Sequence, residues 1–171
     1  ISNSDCEVLI PCYRRWGPVE MCNRIDAEFS FVLYDELNNT LVVARDPHGV
    51  RPLFWGMGPR NEYVFSSELK GMAHMNCDDV SQFKPGYVMV CDLADGTMSY
   101  TPYTKLGPEM WQIMDNNPEK TVYNLVSDAV KKRMMCDMGG VCCLLSGGLD
   151  SSLVSALAQQ HSHVPIHTFS I

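Results

Sequence analysis

The feature that most restricts how this chain folds is an unbroken apolar run, Val141-Cys142-Cys143-Leu144-Leu145. It passes directly into Ser146-Gly147-Gly148 and then into a helical pattern. A strand with one wet face alternates apolar and polar residues, whereas a run without alternation reads as a parallel-sheet strand covered on both faces. Leu153, Val154, Leu157 and Ala158 follow at helical spacing, which predicts a helix over residues 150–160 with these four side chains buried. Residues 167–171 begin a second parallel strand. The segment is a β-loop-α-β unit, the start of an α/β parallel-sheet domain.

The loop of that unit carries chemistry. The first amides of a helix have no intrahelical partner and sit at the positive end of its dipole. Gly147 and Gly148 let the backbone approach an anion, and the hydroxyls of Ser146, Ser151 and Ser152 add donors. The result suits a pyrophosphate. The loop is not a Walker A sequence, which requires G-x-x-x-x-G-K-[ST], nor G-x-G-x-x-G, nor the G-x-S-x-G elbow. By physics alone it reads equally well as an ordinary strand-to-helix turn, with Asp150 and the serines as caps.

The preceding segments have a different character. Ser4 can cap a first helix, with Glu7 completing a capping box, and Val8, Leu9, Cys12 and Tyr13 fall at helical spacing. Gly17-Pro18 ends that helix, and a short second one runs over residues 18–25. Phe29, Phe31 and Leu33 then alternate with Ser30, Val32 and Tyr34 as in a strand, and Asn38-Asn39 turns the chain into a partner strand over 41–44. Further strands are predicted over 51–55, 62–66, 87–91 and 97–101, with a short helix over 68–74. This is an antiparallel-rich α+β pattern. Residues 102–117 have no period and read as a linker. Asn117 then caps a helix with Pro118 at its first position, and its apolar stripe is Val122, Leu125, Val126, Ala129, Val130 and Met134. Gly139-Gly140 ends it. Domains are therefore placed at 1–101 and 118–171.

Composition excludes several classes. Hydrophobic residues make up 46% and charged ones 19%, enough for a core and too few charges for a disordered chain. With a net charge of −7 and one basic cluster, Lys131-Lys132-Arg133, the chain is not a nucleic-acid binder. That cluster reads as a solvated helix end. No stretch is long enough for a membrane span. The eight cysteines, 6, 12, 22, 77, 91, 136, 142 and 143, form no C-x-x-C pair, and several sit in apolar runs. They read as reduced, buried thiols of a cytoplasmic protein. Arg45 and Asp46 read as a structural ion pair and His48 as a solvated loop residue. Cys142 and Cys143 are badly placed for nucleophiles.

The motifs resemble those of a known family. Ser146-Gly147-Gly148-Leu149-Asp150-Ser151 looks like the pyrophosphate loop of the N-type ATP pyrophosphatases, and the longer CLLSGGLDSSLVSALAQQ, with AVKKRMM before it and HTFSI after it, is similar to asparagine synthetases. Independently, ARDPHGVRPLFWG, VFSSELKGM and FKPGYVMV resemble the class II glutaminase domain, and Ser4-Asp5-Cys6-Glu7-Val8 matches its S-D-x-E-V motif. The resemblance spans nearly the whole chain and implies a truncated Ntn-type glutaminase fold followed by the start of a nucleotide-binding domain. It assigns Asp5 to the α-amino group of glutamine. It assigns Leu145, Ser146, Gly147, Gly148, Asp150, Ser151, Ser152 and Ile171 to ATP, with Asp150 also on Mg2+ beside the pyrophosphate. Glutamine, aspartate and ATP are the implied substrates, and a homodimer of the full-length enzyme is allowed. In this family a glutaminase frees ammonia, and a synthetase converts aspartate to an acyl-adenylate that ammonia then attacks. A carboxylate is a poor electrophile, and adenylation supplies a leaving group.

Other readings compete. A glutamine phosphoribosyl-pyrophosphate amidotransferase also has a segment like ARDPHGVRPL but lacks a pyrophosphate loop. A β-lactam-forming relative of asparagine synthetase would keep the loop but lose glutaminase function, and the intact S-D-x-E-V motif leans away from it. The third reading is a non-catalytic remnant that binds ATP or a partner. Both ends read as cut, and the N-terminal Cys nucleophile of the family is not among these residues, so none is assigned as catalytic. The 171-residue chain alone is accordingly expected to hydrolyse no glutamine and make no asparagine; an ammonia-release assay showing turnover would overturn this.

Overall fold

The computed structural model describes residues 4–104, 117–135 and 140–170. It divides into two compact units, residues 1–112 and 113–171. Most of the expected linker, Gly139 and Ile171 lie outside the described residues.

The first unit opens with a 3-10 turn, Asp5–Val8. Ser4 caps it, its Oγ accepting from the Cys6 amide at 3.3 Å. Helix α1, Leu9–Arg24, follows and is kinked where expected: Gly17 leaves the helical region at φ 73° and Pro18 restarts the helix. The strands are β1 (Ser30–Asp35), β2 (Thr40–Arg45), β3 (Phe54–Met57) and β4 (Tyr63–Ser66). Helix α2 (Leu69–Ala73) precedes β5 (Asp78–Gln82), β6 (Tyr87–Asp92) and β7 (Met98–Pro102). They form two antiparallel sheets, ordered β1-β2-β6-β7 and β4-β3-β5.

Burial explains the strand sequences. Val42, Ala44 and Val88 pack with Met21 and Cys22 of α1 and with Phe29, Phe31 and Tyr103. Val43 and Met89 point the other way and pack with Leu53 and Phe83, with Trp55 and Phe65 of the second sheet alongside. Strand β2 is thus covered on both faces, which is why Leu41-Val42-Val43-Ala44 does not alternate.

Two strands depart from expectation. The predicted strand over 51–55 begins only at Phe54, because the backbone of Arg51 is already occupied. Its amide donates to Asp46 at 3.0 Å and its carbonyl accepts from Arg45 at 2.8 Å. Strand β5 was not expected at all. Its sequence, Asp-Asp-Val-Ser-Gln, has one inward side chain, Val80, and positive φ at Asp79, and it forms by pairing with β3. Tertiary pairing here overrides weak local propensity.

The expected ion pair between Arg45 and Asp46 is also corrected. Both are buried, at 5% and 2% exposure. Each spends its charge on the backbone. The guanidinium donates to the carbonyls of Arg51, Phe83 and Gly49, each at 2.8 Å. The carboxylate accepts from the amides of His48, Val50 and Arg51 at 3.0–3.1 Å. Gly49 has φ +64°, and a Cβ there would lie 2.7 Å from Pro85 and 3.0 Å from the Arg45 guanidinium, so only glycine closes this corner. His48 is exposed, as expected.

In the second unit, Asn117 caps α3 (Pro118–Arg133), its Oδ1 accepting from Lys120 N at 3.2 Å. Strand β8 (Cys142–Leu144) pairs in parallel with β9 (His167–Phe169), and α4 (Leu149–His161) connects them. Val130, Leu157 and Ala158 form the core, flanked by Val126, Met134, Cys143 and Ile166. The expected coverage is corrected in part. Leu144 is 78% exposed, and Leu153, Val154, Val122 and Leu125 are exposed as well, because the described helices bury only one side of a two-stranded sheet.

Arg45→Met would leave three carbonyls without their donor in a buried corner and should destabilise the first unit by about 3 kcal/mol or more. Urea unfolding followed by tryptophan fluorescence measures this.

Candidate functional site

In the first unit Asp5 stands exposed on the 3-10 turn ahead of α1. It lines a cleft of about 290 Å³ whose apolar floor is Leu9, Ile25, Phe29 and Phe31. Glu28 and Arg51 complete the wall, with Arg51 Nη2 3.9 Å from Glu28 Oε2. Sequence reading missed both. Arg51 is 46 positions from Asp5 and lay inside an expected strand, so no local signal tied it to the cleft. Cys6 lines this cleft and also a larger groove of about 560 Å³ between α1 and the β1–β2 turn. At that groove Tyr13 Oη donates to Asp35 at 2.9 Å, and hydrogen bonds from Asn38 first, then Tyr13, hold the Asp35 carboxyl below the usual carboxylate range.

In the second unit the loop leaves the carboxyl end of parallel strand β8 and enters α4, the position where open α/β sheets bind ligands. Leu145 extends the strand, its amide donating to the Phe169 carbonyl at 2.8 Å. Gly147 has φ +79°, a left-handed turn, and nothing lies within 4 Å of where its Cβ would be; the amide of Gly148 that follows donates to Ser146 Oγ at 3.5 Å. Gly148 is the N-cap of α4 and Asp150 lies in the first turn. Ser146, Gly147, Gly148, Asp150 and Ser152 are exposed, and Ser151 is half-buried. The hydroxyls close on themselves. Ser151 Oγ donates to the Gly148 carbonyl at 3.2 Å and lies 3.0 Å from Ser146 Oγ, so Ser146 supplies the proton between them. A phosphate would have to take the place of these internal contacts. Among the described residues no three His, Cys, Asp or Glu side chains gather as a metal-binding group. Lys131, Lys132 and Arg133 are exposed at the end of α3.

The profile of the glutamine amidotransferase domain family matches residues 1–123. The chain belongs to that family. The asparagine synthase family profile matches residues 121–171, so the start of a synthetase domain follows. A probable glutamine-hydrolysing asparagine synthetase of Schizosaccharomyces pombe is 38% identical over 167 residues, covering 93% of this chain and 28% of the relative. The glutamine-hydrolysing asparagine synthetase of Triphysaria versicolor is 38% identical over 165 residues, covering 94% of this chain and 26% of the relative. Asparagine synthetase 1 of Arabidopsis thaliana is 36% identical over 163 residues, with coverages of 94% and 26%. The chain thus spans about a quarter of the length of these relatives. Among solved structures, the glutamine phosphoribosylpyrophosphate amidotransferase of B. subtilis, complexed with ADP and GMP, superposes with a TM-score of 0.55 at 18% identity, over 99% of this chain and 39% of that one. The likeness is one of fold, the Ntn-type amidotransferase architecture of mixed helices and antiparallel sheets.

In this amidotransferase unit the cysteines differ in chemistry. Cys6 is exposed at both clefts, while burial pushes the Cys22 thiol up to about 12. At pH 8 iodoacetamide should alkylate Cys6 in the folded chain and reach Cys22 only after unfolding. Peptide mass spectrometry reads both.

Proposed function

We propose that this chain is part of a glutamine-hydrolysing asparagine synthetase, a cytoplasmic ligase that makes asparagine from aspartate, glutamine and ATP. On this reading residues 1–101 belong to the glutaminase domain, 102–117 link, and 118–171 begin the synthetase domain. The observation that carries it is the Ser146–Ser152 loop at the carboxyl end of a parallel strand, in a chain that also belongs to the glutamine amidotransferase family. The relatives named above support the choice of ligase, and the seven free thiols among the described residues suit a reducing compartment.

The roles follow from chemistry. Asp5 takes the α-ammonium of glutamine in a charge-assisted contact. The amides that begin α4, freed by Gly147 and Gly148, hold the β and γ phosphates of ATP, and Ser146, Ser151 and Ser152 turn their hydroxyls to them. Leu145 contacts the nucleotide and Ile171 lines the adenine. The aspartate carboxylate attacks the α-phosphorus, pyrophosphate leaves into the loop, and ammonia then displaces AMP. Mg2+ neutralises the phosphates when bound. It fits a site with one carboxylate, because this ion commonly takes one or two protein carboxylates and fills its shell with phosphate and water oxygens. Asp150 is that carboxylate.

Asp150→Ala should weaken ATP binding in the presence of Mg2+ by about tenfold and change metal-free binding little. Calorimetric titration with equal affinities for wild type and variant, or with no nucleotide binding at all, would sink the proposal.

A further inference from the structure

We infer that the outer edge of β1 is an association surface on which a second copy of this chain lays its own β1, antiparallel and about a two-fold axis. Among the described residues the first unit has four edge strands, β1 and β7 in one sheet and β4 and β5 in the other. An open edge presents unpaired N–H and C=O groups, and proteins blunt such edges by keeping them short or by placing charges or proline on them. Three of the four are blunted. Strand β4 has four residues, β5 begins with Asp78 and Asp79, and β7 carries Ser99 and Thr101 and ends at Pro102. Strand β1, with six residues, is the longest of the four, and its single charge is the terminal Asp35.

The surroundings of this edge suit an added strand. The groove of about 560 Å³ beside α1 is lined by residues 32–35 of β1 as well as by the turn that follows. Its apolar side chains are left open: Ile10 and Tyr34 are each 55% exposed and Val32 is 45% exposed. Contiguous apolar surface of this kind marks an interaction site. An extended segment laid there would bond to the edge and lie under α1 on one face, a recurring mode of recognition. Two features select a second copy as that segment. The first is charge. The groove holds a cation, Arg14, beside two anions, Asp35 and Glu36. Arg14 and Glu36 are exposed, and neither has an ion-pair partner among the described residues. A two-fold axis sets a patch against itself. A patch of one sign would then repel, whereas this one can set Arg14 of each copy against Glu36 of the other. The second is side-chain order. Opposite positions of an antiparallel pair share a face. Val32 and Tyr34 of the two copies would meet on the outer face as β-branched and aromatic neighbours, and Leu33 would meet its counterpart on the face that packs with α1.

Sedimentation velocity and amide hydrogen exchange on the 171-residue chain, in reducing buffer so that the exposed Cys6 forms no disulfide, test this. The wild type should dimerise as its concentration rises toward about 100 µM, and the β1 amides should gain protection in step. Val32→Lys puts a charge in the middle of the edge and should raise the dissociation constant by about tenfold or more. Thr101→Lys, the same change on edge β7, should leave it unaltered. Arg14→Glu and Glu36→Arg should each weaken the dimer, and the two together should restore it to within about threefold of the wild type. All four side chains are exposed, so every variant should keep the wild-type circular dichroism spectrum. A wild type that stays monomeric, whether its β1 amides exchange freely or are covered by another segment, overturns the proposal. So does a dimer that survives Val32→Lys, or one that the exchanged charges fail to restore.

Discussion

The first unit depends on two buried charges that serve the backbone. A guanidinium and a carboxylate on adjacent residues would ordinarily be expected to pair. Here they sit on opposite sides of the chain at the end of β2 and take three backbone groups each. Desolvating a charge is expensive unless every lone pair and proton finds a partner, and backbone groups in a tight turn supply fixed partners without loss of side-chain entropy. The turn after β2, the segment before β6 and the approach to β3 meet at this corner. The Tyr103 hydroxyl adds a bond to the Arg45 carbonyl at 2.7 Å, and burial raises the pKa of that phenol. The corner ties the end of β2 in one sheet to the approach to β3 in the other.

The second unit uses backbone polarity differently. In a parallel strand-loop-helix the amides that open the helix have no partner within it, and here a left-handed Gly147 leads into them. The Ser146 and Ser151 hydroxyls bond each other at 3.0 Å, and Ser151 Oγ also donates to the Gly148 carbonyl at 3.2 Å. The first unit thus satisfies its polar groups internally for stability. The second leaves polar groups open, and that is where nucleotide chemistry is proposed.

Much of this was legible from residue order. The kink at Gly17, the caps at Ser4 and Asn117 and the turn of the β1–β2 hairpin rest on interactions within a few residues, and the strand before the loop was legible from its unbroken apolar run although its partner lies 25 positions on. Strand β5 was not legible, because a polar sequence with one apolar side chain becomes a strand only when β3 offers it an edge. The wall of the Asp5 cleft was not legible for the same reason: Glu28 and Arg51 reach it from two separate loops. The burial expected for Leu144, Leu153 and Val154 followed the apolar pattern, which states what a side chain prefers and not what is present to cover it.

The chain order by itself determined the classes of structure, an antiparallel α+β unit followed by a parallel strand-loop-helix, and the place of the Ser146-Gly147-Gly148 turn between that strand and helix. Periodicity, caps and glycines act over one or two turns, so they can be read without knowing the fold. Only the tertiary structure decided that Arg45 and Asp46 grip backbone and not each other, and that Arg51 shares a cleft with Asp5. Contacts between residues tens of positions apart depend on how sheets and turns are brought together, and no local pattern encodes that.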